Sequence, residues 1–194
     1  MTKSRAEVVW RRAIFVGAAL VLTACSGSSS SSSQPLSADA FGAKYKFADN
    51  QASGWTQTTD PTDPFPFGVY TDANLDQRID GGNKLYLDRG MRVAMYQDLV
   101  GPNGSLCTVV AMDFVTGANA TTMFTYQKDN KGAATAIPQH DVTVAIGESL
   151  ITGITVFAHD QASYFELQLD GYSDQTAAAQ AGAQLLGVLE GKTK

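Results

Sequence analysis

The chain has 194 residues, of which 14 are Lys or Arg and 19 are Asp or Glu, so its formal net charge at pH 7 is −5. This length predicts one domain with appendages. The acidic balance argues against a nucleic-acid-binding protein, which carries a basic patch. Because the basic residues after residue 24 form no cluster along the sequence, electrostatic docking of the domain to anionic lipid is also disfavoured.

Residues 1–24 have the pattern of a secretory signal peptide. An uncharged apolar run, Ala13–Leu22, follows a basic n-region made by Lys3, Arg5, Arg11 and Arg12. A run of ten residues is too short to span a bilayer, which takes about 20 residues. It has the length of a signal-peptide h-region, so the sequence predicts export.

The apolar run ends in Leu22-Thr23-Ala24-Cys25, which resembles the lipobox of bacterial lipoprotein export signals. The resemblance implies lipid transfer to the sulfur of Cys25, cleavage before this residue and acylation of the new amino group, with palmitate as a typical chain. Several acyl chains would anchor the protein stably, since each buried CH₂ contributes roughly 0.8 kcal/mol. By the same resemblance, Ser26 favours the outer membrane, facing the periplasm, if the envelope is Gram-negative. The alternative is an ordinary secretory signal followed by an unmodified cysteine.

Residues 25–40 are predicted to be the lipidated cysteine and a flexible tether, because Ser28–Ser33 is an uninterrupted serine tract. A single globular domain is predicted over residues 41–191. Residues 1–24 contain four of the 14 basic and one of the 19 acidic residues, so the chain after them has 10 against 18 and a net charge of −8. With Cys25 lipidated, Cys107 remains alone and no internal disulfide is expected.

The first part of the domain, Phe41 to Tyr70, is rich in turn-forming residues. It predicts an irregular segment with one short strand. Trp55 is expected to contact the core. Phe65 and Phe67 lie among the prolines of this segment and, with Trp55, are candidates for an exposed aromatic binding edge, although loop residues that cover the core are the favoured interpretation.

A hairpin is predicted next. Met91–Val100 and Leu106–Phe114 have the composition of strands, and Gly101-Pro102-Asn103-Gly104 joins them. The second strand is apolar on both faces, which is typical of a central strand covered on both sides. Further strands are predicted at 142–146, 150–159 and 163–170.

Two helices are predicted in this half of the chain, at 119–126 and 175–190. In the second, apolar or small residues recur along one face, and Ser173 or Asp174 would cap its start. With a further helix at 72–89, the elements predict an α+β domain, a mostly antiparallel sheet of about five strands packed by two or three helices.

The stretch 72–83 admits two interpretations. Asp72, Asn74, Asp76 and Asp80 match positions 1, 3, 5 and 9 of an EF-hand calcium loop, but Gln77 replaces the glycine of position 6 and Asn83 the glutamate of position 12. The alternative is an amphipathic helix that ends at Gly90, and it explains more of the pattern. Each Gly of Gly81-Gly82 would cost about 1 kcal/mol inside a helix, which indicates close packing there or a break between two short helices.

The segment NLDQRIDGGNKLYLDRGM, followed by two strands and AMDFVTGANATTMFTYQ, resembles an uncharacterised family of secreted bacterial proteins. The resemblance covers roughly residues 55–190 and implies a PsbP-like α+β architecture and no known activity. The residues that carry it are Asn74, Leu75, Ile79, Asp80, Gly81, Leu85, Tyr86, Leu87 and Gly90.

Candidate catalytic groups form no recognised constellation. Cys107 lies among apolar strand residues and is expected to be a buried small hydrophobe rather than a nucleophile. His140-Asp141 and His159-Asp160 are expected at the surface and are too few for a zinc site. Glu166 and Asp170 lie about 13 Å apart along one strand face by strand rise, too far for a retaining glycosidase. They are expected to belong to a solvated polar face.

The sequence therefore predicts a lipid-anchored cell-envelope protein whose domain is a non-catalytic binding or accessory module for an envelope partner or a small ligand. No cofactor and no metal are predicted. Two alternatives remain open: an envelope hydrolase with an unassigned site, and a calcium-stabilised binding module through residues 72–83.

Overall fold

The computed structural model describes residues 35–63, 66–79, 81–131, 134–136, 143–150, 153–172 and 174–194. Pro35–Lys194 forms one compact unit. The predicted signal peptide, Cys25, Phe65, Asp80 and His140-Asp141 lie outside the described residues. Within those residues, no helix combines the length and the apolar character needed to cross a membrane.

Among the described residues, eight strands pair antiparallel in one sheet. They are β1 Thr56–Gln57, β2 Phe67–Tyr70, β3 Met91–Val100, β4 Leu106–Phe114, β5 Ala134–Ala136, β6 Thr143–Leu150, β7 Gly153–Asp160 and β8 Ser163–Asp170. Their order is β1-β3-β4-β8-β7-β6-β5, and β2 also pairs with β3. β4 and β8 therefore lie at the centre of the sheet, although about fifty residues separate them in sequence.

In the part of the chain that the structure describes, four α-helices pack on this sheet. They are α1 Ala38–Tyr45, α2 Asn83–Leu87, α3 Gly117–Lys131 and α4 Gln175–Thr193, and 3₁₀ turns lie at Leu75–Gln77 and Pro102–Gly104. The predicted α+β class is confirmed. The five strands of eight or more residues match the predicted number, and β3, β4 and β8 have the predicted bounds. The helix α1 was not predicted. Ser37 caps its start, where the Ser37 hydroxyl accepts a hydrogen bond from the Ala40 amide at 3.3 Å, inside the predicted tether.

The sheet has a buried core on each face. On the first face, α1 and α4 cover a cluster that includes Trp55, Met95 and Phe165. On the second face, α3 and the segment around α2 cover a cluster that includes Met112 and Phe157. Because both faces are covered, the central strands carry apolar side chains on both sides, as predicted for β4.

The segment 72–90 is not one continuous helix, which corrects the helical interpretation. A 3₁₀ turn at Leu75–Gln77 is followed by a break, and α2 begins only at Asn83. Gly81 has a φ of +71°, outside the right-handed helical region. A break between two short helices, one of the two expectations from Gly81-Gly82, is what forms. The helix α2 ends at Leu87 with Asp88 as its C-cap, and Gly90, with a φ of +81°, ends the turn that follows rather than the helix itself.

The prediction that one face of β8 is solvated is wrong for the first half of the strand, which contains Tyr164 and Glu166. Tyr164 is fully buried and Glu166 is 8% exposed. The reason is that α3 packs against this side of β7 and β8. Gln168 and Asp170, at the other end of the strand, are exposed as predicted.

Candidate functional site

A row of polar side chains crosses the central strands on the second face of the sheet. Asp98 on β3 lies opposite Thr108 on β4, which lies opposite Gln168 on β8, which in turn lies opposite Thr155 on β7. We call these four residues the polar row. Gln168 is exposed, Asp98 and Thr108 are half-buried, and Thr155 is buried. Polar groups in register on adjacent central strands are unusual, because these strands normally bury apolar side chains on both faces of a doubly covered sheet.

The next row of the same face contains a buried carboxylate. Glu166 is held through both oxygens: the Tyr164 hydroxyl donates to Oε2 at 3.2 Å, and Gln168 Nε2 donates to Oε1 at 2.7 Å. The second bond links the exposed polar row to the buried group. A carboxylate with hydrogen bonds on both oxygens is fixed in orientation.

Three more side chains complete this group. Tyr96 lies on β3, Tyr86 on α2 and Gln127 on α3, and Tyr86 is hydrogen-bonded to Gln127. Gln127 lies one turn beyond Met123 on the buried face of α3, which explains why a glutamine points inward. We call the set the tyrosine–glutamate layer; its members are Tyr86, Tyr96, Gln127, Tyr164 and Glu166.

The tyrosines of this layer are not ionised at neutral pH. Burial raises the pKa of Tyr86, Tyr96 and Tyr164 well above that of an exposed tyrosine, and the nearby charge of Glu166 raises it further. Their hydroxyl groups therefore remain hydrogen-bond donors. The layer offers donors and acceptors for binding, and no phenolate nucleophile.

An arginine connects the polar row to the segment before α2. Arg78 lies 3.6 Å from the Asp98 carboxylate, and its guanidinium stacks 5.0 Å from the centroid of the Tyr96 ring. The Thr108 hydroxyl donates to Asp98 at 2.5 Å. Burial raises the pKa of Asp98, while the Thr108 hydrogen bond and Arg78 act in the opposite direction. The polar row is thus a connected network rather than a set of isolated side chains.

The structure uses part of the predicted calcium loop for local folding. The Asn74 side-chain oxygen accepts a hydrogen bond from the Thr71 amide at 2.7 Å, and Asp72 and Asp76 are exposed. Among the described residues, no group of three or more His, Cys, Asp or Glu side chains is arranged to hold a metal ion. Asp80 lies outside them, so the calcium alternative stays a prediction.

The predicted aromatic binding edge is corrected at Trp55. This side chain is 1% exposed and belongs to the first core, which confirms the expectation that Trp55 contacts the core. Phe67 is half-buried and packs against the same core, with the ammonium of Lys46 4.6 Å from its ring centroid. Phe65 lies outside the described residues.

The remaining candidate residues, Cys107, His159 and Asp160, do not belong to the polar row. Cys107 is buried on the first face, and burial raises the pKa of its thiol, which confirms the expectation of a small buried hydrophobe. His159 is half-buried with its ring 4.8 Å from that of Phe124, and burial lowers its pKa. The Asp160 carboxylate accepts a hydrogen bond from Thr193 rather than pairing with an imidazole.

Sequence reasoning missed the polar row, although one half of it was accessible. The predicted hairpin around Gly101–Gly104 places Asp98 opposite Thr108 once its register is counted. No local signal indicates that β8 pairs with β4, so Gln168 and Glu166 could not be added from the sequence.

No known family model matches the chain, and no curated protein matches it. The extracellular domain of PknH from Mycobacterium tuberculosis is similar in structure over 65% of this chain and 78% of that one, with 12% sequence identity and a TM-score of 0.43. A likeness at this level assigns neither a family nor a function. The resemblance to secreted bacterial proteins around residues 74–90 therefore stays a prediction.

Proposed function

We propose that this chain is an exported lipoprotein of the cell envelope, anchored through Cys25, whose α+β domain is a non-catalytic binding module. The anchor is supported by the basic n-region, the length of the apolar run and the sequence Leu22-Thr23-Ala24-Cys25. Ser26 supports placement in the outer membrane, facing the periplasm, if the envelope is Gram-negative. Two or more acyl chains bind a membrane stably, where one chain gives only marginal binding.

Cys25→Ser tests the anchor, because serine cannot accept the thioether-linked lipid. We expect the wild-type chain in the membrane fraction and Cys25→Ser in the soluble fraction after cell breakage and sedimentation. Ser26→Ala is the matched control, since it changes the neighbouring residue and keeps the thiol; it should sediment like the wild type. If Cys25→Ser still sediments with membranes, the anchor is wrong.

We also propose that the polar row, together with the tyrosine–glutamate layer beneath it, binds a small polar ligand. The observation that carries this proposal is the bond from exposed Gln168 to buried Glu166, which joins a surface row of hydrogen-bonding groups to an oriented carboxylate. Binding sites typically combine apolar walls with a few placed polar groups. Here Tyr96 and Tyr86 provide aromatic surface beside those groups.

The chemistry of these groups supports binding rather than catalysis. The tyrosines stay protonated at neutral pH, Cys107 faces the opposite core, and His159 packs against Phe124. General acid–base catalysis needs a group that lies within reach of the substrate and has a pKa near the working pH. The hydrolase alternative would need a site in another part of the chain.

A melting experiment with a panel of small polar molecules tests the binding site. A ligand raises the melting temperature by mass action when it binds only the folded chain. The panel would contain sugars, amino acids, polyamines, nucleotides and dicarboxylates at millimolar concentration. We expect at least one class to raise the melting temperature of the wild type and to have no effect on Gln168→Ala.

Gln184→Ala is the matched control for Gln168→Ala. Gln184 is also exposed and makes one side-chain hydrogen bond, to the carbonyl oxygen of Ser53, but it lies on α4 over the first face of the sheet. This variant should respond like the wild type. A panel without any shift, or a shift that Gln168→Ala retains in full, would contradict this site.

A further inference from the structure

Four lysines meet at one corner of the domain. Lys44 lies in the last turn of α1 and Lys46 directly follows that helix, while Lys192 lies in the last turn of α4 and Lys194 follows it. Lys192 Nζ donates a hydrogen bond to the backbone carbonyl oxygen of Lys46 at 2.5 Å, across 146 positions of sequence. We call these four residues the lysine corner.

Two side chains of the corner lie across aromatic rings that close this end of the first core. Lys46 Nζ is 4.6 Å from the ring centroid of Phe67, and Lys192 Nζ is 5.0 Å from that of Phe47. Such contacts hold the aliphatic stem on apolar surface and keep the ammonium at the water boundary. Apart from Lys192, which is half-buried, the lysines of the corner are exposed.

The charge of the corner is opposite to that of the rest of the domain. Arg92 also lies there, ion-paired to Asp113, which is within electrostatic range of Lys44. The other carboxylates beside the corner are Asp160, which accepts a hydrogen bond from Thr193, and Glu190, in the last turn of α4. These five basic and three acidic residues have a net charge of +2. The remaining charged residues after residue 24 are five basic and 15 acidic, a net charge of −10.

This asymmetry matters for a domain that is tethered to a membrane. An anionic bilayer repels a surface of net negative charge and attracts lysines within about one Debye length, roughly 10 Å at 0.1 M salt. The helix α1 is also the first element after the predicted tether, so the anchor would hold this helix closest to the bilayer. Both effects favour an orientation with the corner towards the lipid.

We infer that the lysine corner is a membrane-facing surface that docks on anionic phospholipid headgroups and orients the anchored domain. The inference rests on the proposed anchor at Cys25. In that orientation the exposed part of the polar row, on the opposite face of the sheet from α1 and α4, stays accessible from the aqueous compartment. The sequence alone disfavours docking on anionic lipid because Lys44 and Lys46 are about 146 positions from Lys192 and Lys194 in the chain, and only the fold brings the two pairs together.

Hydrogen–deuterium exchange of the lipidated chain on vesicles tests this surface. Exchange is compared on phosphatidylcholine vesicles and on vesicles that also contain phosphatidylglycerol, at low salt and at about 1 M salt, where the Debye length falls to roughly 3 Å. We expect protection of the amides at 42–48 and 190–194 only with phosphatidylglycerol and low salt. Lys44→Gln/Lys46→Gln should lose this protection while staying bound to the vesicles.

Lys84→Gln/Lys128→Gln is the matched control, with the same change in charge on exposed lysines outside the corner. It should keep the protection. Equal exchange on the two kinds of vesicle, or equal loss in both double variants, would overturn the inference. A wild-type chain that does not float with either kind of vesicle would instead contradict the anchor itself, so the two failures are distinguishable.

Discussion

At the scale of single residues, Gln97 shows how one buried side chain can make the hydrogen bonds that a neighbouring strand would otherwise make. It lies on the first face of β3 and is fully buried. Its Nε2 donates to the carbonyl oxygen of Phe47 at 3.0 Å, and its Oε1 accepts from the amide of Phe47 at 2.7 Å. The side-chain amide of Gln97 thereby satisfies the backbone N–H and C=O of Phe47, which follows α1 and belongs to no strand. Buried backbone groups need such partners, because leaving them unpaired is costly.

Gln97→Leu should destabilise the domain strongly. It leaves two buried backbone groups of Phe47 without their partner, and each unsatisfied group costs about 1–3 kcal/mol. We expect the free energy of unfolding to fall by roughly 2–5 kcal/mol, measured from the urea midpoint at unchanged m-value. Gln184→Leu removes an exposed amide with one hydrogen bond and should change it by less than about 0.5 kcal/mol. Similar midpoints for the two variants would show that the Gln97 bonds do not stabilise the fold.

At the scale of elements, the short helix α2 shows where periodicity misleads. The pattern Leu75, Ile79, Gly82, Tyr86 is amphipathic, and it predicted one helix. Three of these residues do face the second core, since Leu75 is buried and Ile79 and Tyr86 pack against the same cluster. A broken segment can present the same side chains, because packing against the sheet fixes them and the glycines permit the change of direction.

Two glycine substitutions distinguish a broken segment from a continuous helix. Gly81→Ala should lower the free energy of unfolding by about 1–2 kcal/mol, because alanine is strained at a φ of +71° even though no atom lies within 4 Å of its Cβ. Gly191→Ala, in the last turn of α4 with equally open space, should raise it by up to about 1 kcal/mol. Urea unfolding measures both. A stabilising Gly81→Ala would mean that the helix runs through this position.

The bounds of β3, β4 and β8 show what local pattern does predict at this scale. In each strand the composition changes sharply at a turn, such as Gly101–Gly104 or the pair of residues before Ser163. The start of α4 was equally predictable, because the carboxylate of Asp174 caps it with a hydrogen bond from the Ala177 amide at 2.8 Å. The helix α1 was missed because its sequence, ADAFGAKY, has only a weak amphipathic pattern and depends on packing against the first core.

At the scale of the whole molecule, the packing of α3 on the sheet decides the burial of Glu166. The alternation in β8 predicted one apolar and one solvated face, which is correct for a sheet covered on one side. The packing of α3 over the second face converts the Tyr164 and Glu166 positions into a second core. No property of residues 163–170 alone contains that information.

Residues close together in the chain carry the predicted export signal with its lipobox at Cys25, the acidic charge and the sharp ends of β3, β4 and β8, so these features are readable from the sequence. The network of Asp98, Thr108, Gln168 and Glu166, and the corner shared by lysines 146 positions apart, exist only once the chain is folded. The physical reason is that hydrogen bonds, burial and surface charge act over a few ångströms in space. Local periodicity fixes which side chains point the same way, whereas folding chooses the neighbours they meet.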